Sequence, residues 1–255
     1  MRDEKIPVWK TIKHAFGGVA STAREIGWQP VIAFVLIFGI SELIGFMTTF
    51  IHGRDVASQM FSVTAQIQAI ILTLVWFIAL APFGISIHRS VLLFEKPTEG
   101  YFKTILRKRS MRFALTGYAF YFFALLFPML FYSAAFTNVL PEYFIFIGFV
   151  WMLSAGFFLA RVCILLPAIA VEAQLQKIGE AWNATRGNTW RIWFGIVVVW
   201  LPFYAFQRLV EKVNQANAQE MAILVLSDLV VSFVVCVQIL TSIRFVSLIY
   251  KDRTT

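Results

Sequence analysis

Six stretches of about 20 mainly apolar residues, at residues 30–50, 66–87, 113–136, 143–160, 192–210 and 221–243, dominate this sequence. A helix crossing the ~30 Å hydrocarbon core of a bilayer needs about that many residues, and in lipid each crossing segment must satisfy its own backbone polar groups. None of the six shows the alternation of a barrel strand. The sequence therefore predicts an all-α integral membrane protein of six transmembrane helices in three hairpins, forming one domain over residues 1–255. Composition agrees: 59% of the 255 residues are apolar and 14% charged, against about 45–50% and about 25% in soluble domains. A disordered chain is excluded by the same figures, and two Cys cannot staple a disulfide scaffold of this length. The first stretch is too long for a signal-peptide core and no small-residue cleavage site follows it, so it is expected to be retained.

The net charge of +8 is unevenly distributed. Five Lys and Arg precede the first span, seven lie between the second and third, four between the fourth and fifth, and three follow the sixth. These make nineteen, and the three intervening tips hold only three. Lys and Arg accumulate on the cytoplasmic side, so both termini are expected in the cytoplasm, and an odd number of spans would break the bias. Single cysteines introduced at residues 138–142 are accordingly expected to label from outside intact cells, and those at residues 103–109 only after permeabilisation. The reverse pattern would invert the topology.

Each longer cytoplasmic segment carries a helical pattern of its own, at residues 7–26, 98–109 and 173–187. In the first, Trp9, Ile12, Phe16, Val19 and Ala23 share a stripe and Pro7 suits the first helical position. The second opens with Pro97 and Thr98, the latter suited to capping. The third aligns Leu175, Ile178 and Trp182, and Gly187 can close it. All three read as interfacial helices along the inner leaflet. The string aromatic-Lys-Thr-Ile occurs at Trp9–Ile12 and at Phe102–Ile105, while Arg89, Arg161 and Arg244 end the second, fourth and sixth spans, each four residues before a Leu. A threefold repeat accounts for this pattern. So does the general preference for Arg at inner helix ends.

No metalloprotease, nucleophile-elbow, phosphate-loop, CxxC or dinucleotide motif is present. His14 and His88 fall on the cytoplasmic side and His52 on the outer side, so the three histidines do not form one site, and neither a metal nor a cofactor is expected. Two carboxyls lie inside spans, Glu42 and Asp228, each roughly 10–12 Å below the outer boundary. A charge there costs about 2.5–3.5 kcal/mol or more. Gly39, Gly45 and Thr49 beside Glu42, and Ser232 beside Asp228, suggest packed, inward-facing surfaces. The two acids then serve either a proton, ion or substrate pathway or hydrogen bonds within the bundle. Lys103, Arg107, Lys108, Arg109 and Arg112 form a basic run suited to anionic headgroups, and also to fixing topology. Its neighbours are pinned to the membrane, which excludes nucleic acid as the partner; the lipid bilayer, with anionic lipids, is the expected one.

Residues 161–194, RVCILLPAIAVEAQLQKIGEAWNATRGNTWRIWF, join a span, a proline, an acid and an A-W-x-x-T-R-G-N-x-W-R helix to the next span. This segment resembles the YciC-like bacterial inner-membrane proteins and the membrane domain found beside glycerophosphodiester phosphodiesterases. The resemblance rests on Pro167, Glu172, Ala181, Trp182, Thr185, Gly187, Asn188 and Trp190, with Arg186 in the same joint. It implies a multi-pass protein of the bacterial cytoplasmic membrane, and no phosphodiesterase residues accompany it. In this joint Pro167 is expected to break the helix after span four, and Glu172 to pair with Arg186 or Arg191. The role expected of the whole is non-enzymatic, in membrane organisation or as an accessory to a membrane process. The alternatives are a small transporter or channel using Glu42 and Asp228, and a lipid-binding or lipid-modifying protein.

Overall fold

The computed structural model describes residues 5–52, 63–126, 143–173, 177–216 and 221–254. Every regular element among them is helical. In chain order these are α1 (Val8–Gly17), α2 (Val19–Glu25), α3 (Gln29–His52), α4 (Val63–Leu93), α5 (Tyr101–Ile105) and α6 (Lys108–Tyr121), which runs into a π-helical turn at Phe122–Leu126. There follow α7 (Tyr143–Val162), α8 (Leu165–Ala170), α9 (Ile178–Ala184), α10 (Thr189–Ala216) and α11 (Met221–Thr254).

Three helical stretches, Ile70–Leu93, Thr189–Asn214 and Ile223–Thr254, are long and apolar enough to cross a membrane. A fourth qualifies if α2 and the Gln29–Leu43 part of α3, which meet at 101°, are counted together. Phe146–Val162 is apolar but shorter, and residues 127–136 of the third expected span lie outside the described residues. The corner between α2 and α3 is made by Gly27 at φ +65°, a left-handed conformation that costs glycine little. It turns an amphipathic helix into an apolar one.

The long helices pack in a closed order. α3 lies against α4, α4 against α6, the π-turn after α6 against α7, α7 against α10, α10 against α11, and α11 returns to α3, while α4 and α11 also touch across the ring. The largest fully buried side chains, among them Phe83, Ile87, Ile164, Ile192, Val199, Phe245 and Ile249, all belong to the end of the bundle that carries α1, α2, α5, α8 and α9. Toward the other end, Leu43, Ile67, Phe146, Leu209 and Leu226 are exposed. Among the described residues, the buried core therefore lies toward one end of the bundle, and large apolar side chains are exposed toward the other. Trp9, Trp28, Trp182 and Trp190 are exposed around the packed end, where amphipathic rings suit a headgroup level.

The segments expected on the cytoplasmic side differ from the sequence reading in four details. The first is two helices, not one, because at Gly18 the guanidinium of Arg244 fills the place a Cβ would take; Pro7 precedes the first helical residue as its cap. The second segment is only five residues of helix and begins after Gly100, leaving Pro97 and Thr98 outside; extended Arg107 separates it from α6. Tyr101 anchors it, donating its hydroxyl to the Ala79 carbonyl at 2.8 Å, and burial pushes this phenol well above its usual range. Third, Pro167 does not end the span. The chain breaks earlier, at Cys163–Ile164, and Pro167 sits in the first turn of α8, where a missing N–H is tolerated. Fourth, the third interfacial helix covers Ile178–Ala184 only, residues 174–176 lying outside the described residues.

Candidate functional site

The basic run and its surroundings form a polar site at the packed end. Arg107 caps α6, and its two terminal nitrogens reach the two Glu99 oxygens at 2.7 and 2.6 Å. Arg109, in the first turn of α6, contacts Glu172 at 3.4 Å. Arg89, from α4, pairs with Glu95 and donates to the Ala170 carbonyl at 3.3 Å. Arg89, Glu95, Glu99, Arg107 and Arg109 line a cavity of about 460 Å³ to which Lys96 adds a further cation. A neighbouring cavity of about 300 Å³ is lined by Lys108, Arg109, Arg112, Ile169 and Glu172, so Arg109 borders both. The first turn of α6 carries no acidic residue and no side-chain cap, leaving backbone N–H groups toward a region where the helix dipole already favours an anion. Arg107, Lys108, Arg109 and Arg112 are thus brought together, and Arg89 and Lys96 join them. Lys103, in α5, lines neither cavity.

The pairing of Glu172 with Arg109 replaces the expected partners Arg186 and Arg191. Arg191 is engaged elsewhere, donating to the Ile6 carbonyl at 3.0 Å, and Arg186 is exposed. Glu172 itself has a left-handed backbone, φ +56°.

The remaining joint residues have structural tasks. Arg161 stacks over Trp182 at 4.3 Å, donates to the Trp182 carbonyl at 2.8 Å and to Thr189 Oγ1 at 3.1 Å. Thr185, fully buried, returns its hydroxyl to the Arg161 carbonyl at 2.7 Å. Gly187 turns the chain at φ +79°. Asn188 then accepts the Ile6 N–H at 2.9 Å, so residues 188 and 191 together hold both backbone groups of Ile6. Trp190 packs edge-on against Phe157. Cys163, at the inner end of α7, is sealed in the core, and burial pushes its thiol up to about 12.

Glu42 and Asp228 are not brought into a packed face. Both are exposed on the bundle surface. Gly39, one turn from Glu42, has no neighbouring atom within 4 Å of where a Cβ would stand. Ser232 is buried, but Asp228 one turn earlier is not. The physical reason is that no side chain stands close enough to Gly39 to meet a small residue there. The inward orientation read from small neighbours is therefore corrected.

Sequence reading passed over His88, which it assigned to the cytoplasmic side; the ring is 1% exposed and hydrogen-bonded through Nδ1 to Ser247 Oγ at 2.7 Å. Ser242 and Ser247 both lie on α11, Ser242 within the sixth apolar stretch and Ser247 just beyond it. Comparison of the chain with models of known protein families, with characterised proteins and with solved structures finds no match.

Proposed function

We propose that this chain is a non-catalytic, six-span protein of the bacterial cytoplasmic membrane, with both termini in the cytoplasm, that holds anionic lipid headgroups at its inner face. Its role on this reading is in membrane organisation or as an accessory to a membrane process, as the YciC-like resemblance implies. One observation carries it: Arg89, Lys96, Arg107 and Arg109 converge on one cavity beside the uncapped start of α6, next to a second basic cavity. The paired carboxylates Glu95, Glu99 and Glu172 hold the arginines in position. A phosphate arriving there competes for guanidinium groups that are already oriented, and bidentate Arg suits phosphate geometry. The six spans are supported by the coincidence of six apolar segments with six helices in a closed packing order, and the orientation by the distribution of Lys and Arg.

The reading is tested by native mass spectrometry of the purified protein with phosphatidylglycerol or phosphatidylcholine. Phosphatidylglycerol is expected to be retained preferentially. Arg109→Gln with Lys96→Gln lowers that preference by about fivefold per charge removed, corresponding to ~1 kcal/mol each. Equal retention of the two lipids by the unaltered protein would sink the proposal.

A further inference from the structure

A third cavity, of about 250 Å³, lies inside the bundle and away from the basic site. Its wall is largely apolar, with Phe120 of α6, Cys163 after α7 and Phe245 of α11, and Trp200 of α10 stands half-exposed at the rim. Two polar side chains interrupt this wall, His88 of α4 and Ser242 of α11. His88 Nε2 and Ser242 Oγ are both buried and neither has a hydrogen-bond partner.

The hydrogen bonds around His88 assign its protons. Ser247 Oγ lies 2.8 Å from the Ile243 carbonyl oxygen, and that oxygen can only accept. With the one hydroxyl proton of Ser247 given to that carbonyl, Oγ faces His88 as an acceptor. The contact of His88 Nδ1 with Ser247 Oγ at 2.7 Å then requires Nδ1–H to donate. Nε2 is left as a bare acceptor, while Ser242 retains a hydroxyl able to donate. Leaving such groups buried and unmatched is costly.

The geometry points to a binding site for an apolar molecule that carries a hydroxyl group. Its O–H donates to His88 Nε2, its oxygen accepts from Ser242 Oγ–H, and its hydrocarbon part lies against Phe120 and Phe245. Entry is from the lipid, past Trp200. One hydroxyl satisfies both orphaned atoms, whereas an ether oxygen can accept from Ser242 but has nothing to give His88. Discrimination therefore resides in the donor.

The test uses a long-chain alcohol brominated along its chain, and its methyl ether, as quenchers of tryptophan fluorescence in protein held in lipid nanodiscs. The alcohol is expected to quench saturably, with an apparent affinity about tenfold above that of the ether, the difference made by one buried acceptor satisfied or left bare. The saturable component disappears in Trp200→Phe. In His88→Leu the alcohol and the ether become equivalent, and Ser242→Ala weakens both. Equal quenching by alcohol and ether in the unaltered protein, as expected if water alone satisfies His88 and Ser242, overturns the proposal. So does quenching that rises linearly with probe content, or that persists unchanged in Trp200→Phe. These two criteria hold even if His88→Leu fails to fold.

Discussion

Gly195→Leu yields no folded monomer after detergent extraction, and Gly195→Ala yields one destabilised by about 1–3 kcal/mol, the usual cost of overpacking. Gly195 lies in α10 where it meets α11, and a Cβ there would stand 2.3 Å from Cζ of the Phe245 ring. That ring is 1% exposed and packed among Ile192, Ile249 and Val199. It borders the apolar cavity on one side, so it can yield slightly to a methyl group, but a leucine side chain needs the volume the ring itself occupies. Helices in lipid gain nothing from hydrophobic exclusion and depend on close approach of this kind. The check is thermal unfolding in detergent, with Gly195→Ala combined with Phe245→Leu as the diagnostic. The pair is expected to recover part of the loss, as contacting residues do. An alanine variant as stable as the parent would mean that α10 and α11 do not approach as described.

Arg244→Leu frees the amino-terminal helices from the bundle. The guanidinium donates from Nε to the His14 carbonyl at 3.1 Å, bonds Thr22 Oγ1, and lies against Gly18 between α1 and α2. It holds the carboxyl end of α1 and a buried hydroxyl of α2 at once. Hydrogen bonds to charged donors contribute about 1.5–3 kcal/mol. A loss of ~2 kcal/mol corresponds to roughly thirtyfold faster hydrogen exchange over α1 and α2. Arg244→Lys restores little, because a single ammonium cannot serve acceptors on two helices. Exchange of Val8–Glu25 left unchanged by Arg244→Leu would remove the arginine from this role.

The helical character of the chain and several of its long apolar helices could be read from the sequence, because a bilayer imposes the length of a span. The equivalent arginines could also be read as a pattern, but not their contacts. Arg161 and Arg244 each reach a carbonyl and a threonine hydroxyl in the cytoplasmic segment leading to the span that packs beside them. Arg89 departs from this, pairing with Glu95 and reaching Ala170 in α8. The pattern thus marks a recurrent clasp with one altered member. The Arg107–Arg112 region was recognised as basic, but Arg89 and Lys96 were not joined to it, since they are separated from it in sequence and meet it only through the fold. Glu172 was assigned neighbours close in sequence, whereas its partner Arg109 comes from another helix. The misplacement of Glu42 and Asp228 has a different origin. Small residues such as Gly39 permit close packing but do not compel it, and nothing local records whether a neighbour is there to meet them.

The hold on Ile6 by Asn188 and Arg191, together with that of Arg244 on α1 and α2, sets an order of assembly. The first helices leave the ribosome long before any of these three residues has been made, and chains are built at only about 5–20 residues per second. Residues 6–25 are therefore made many seconds before the three residues that hold them in place.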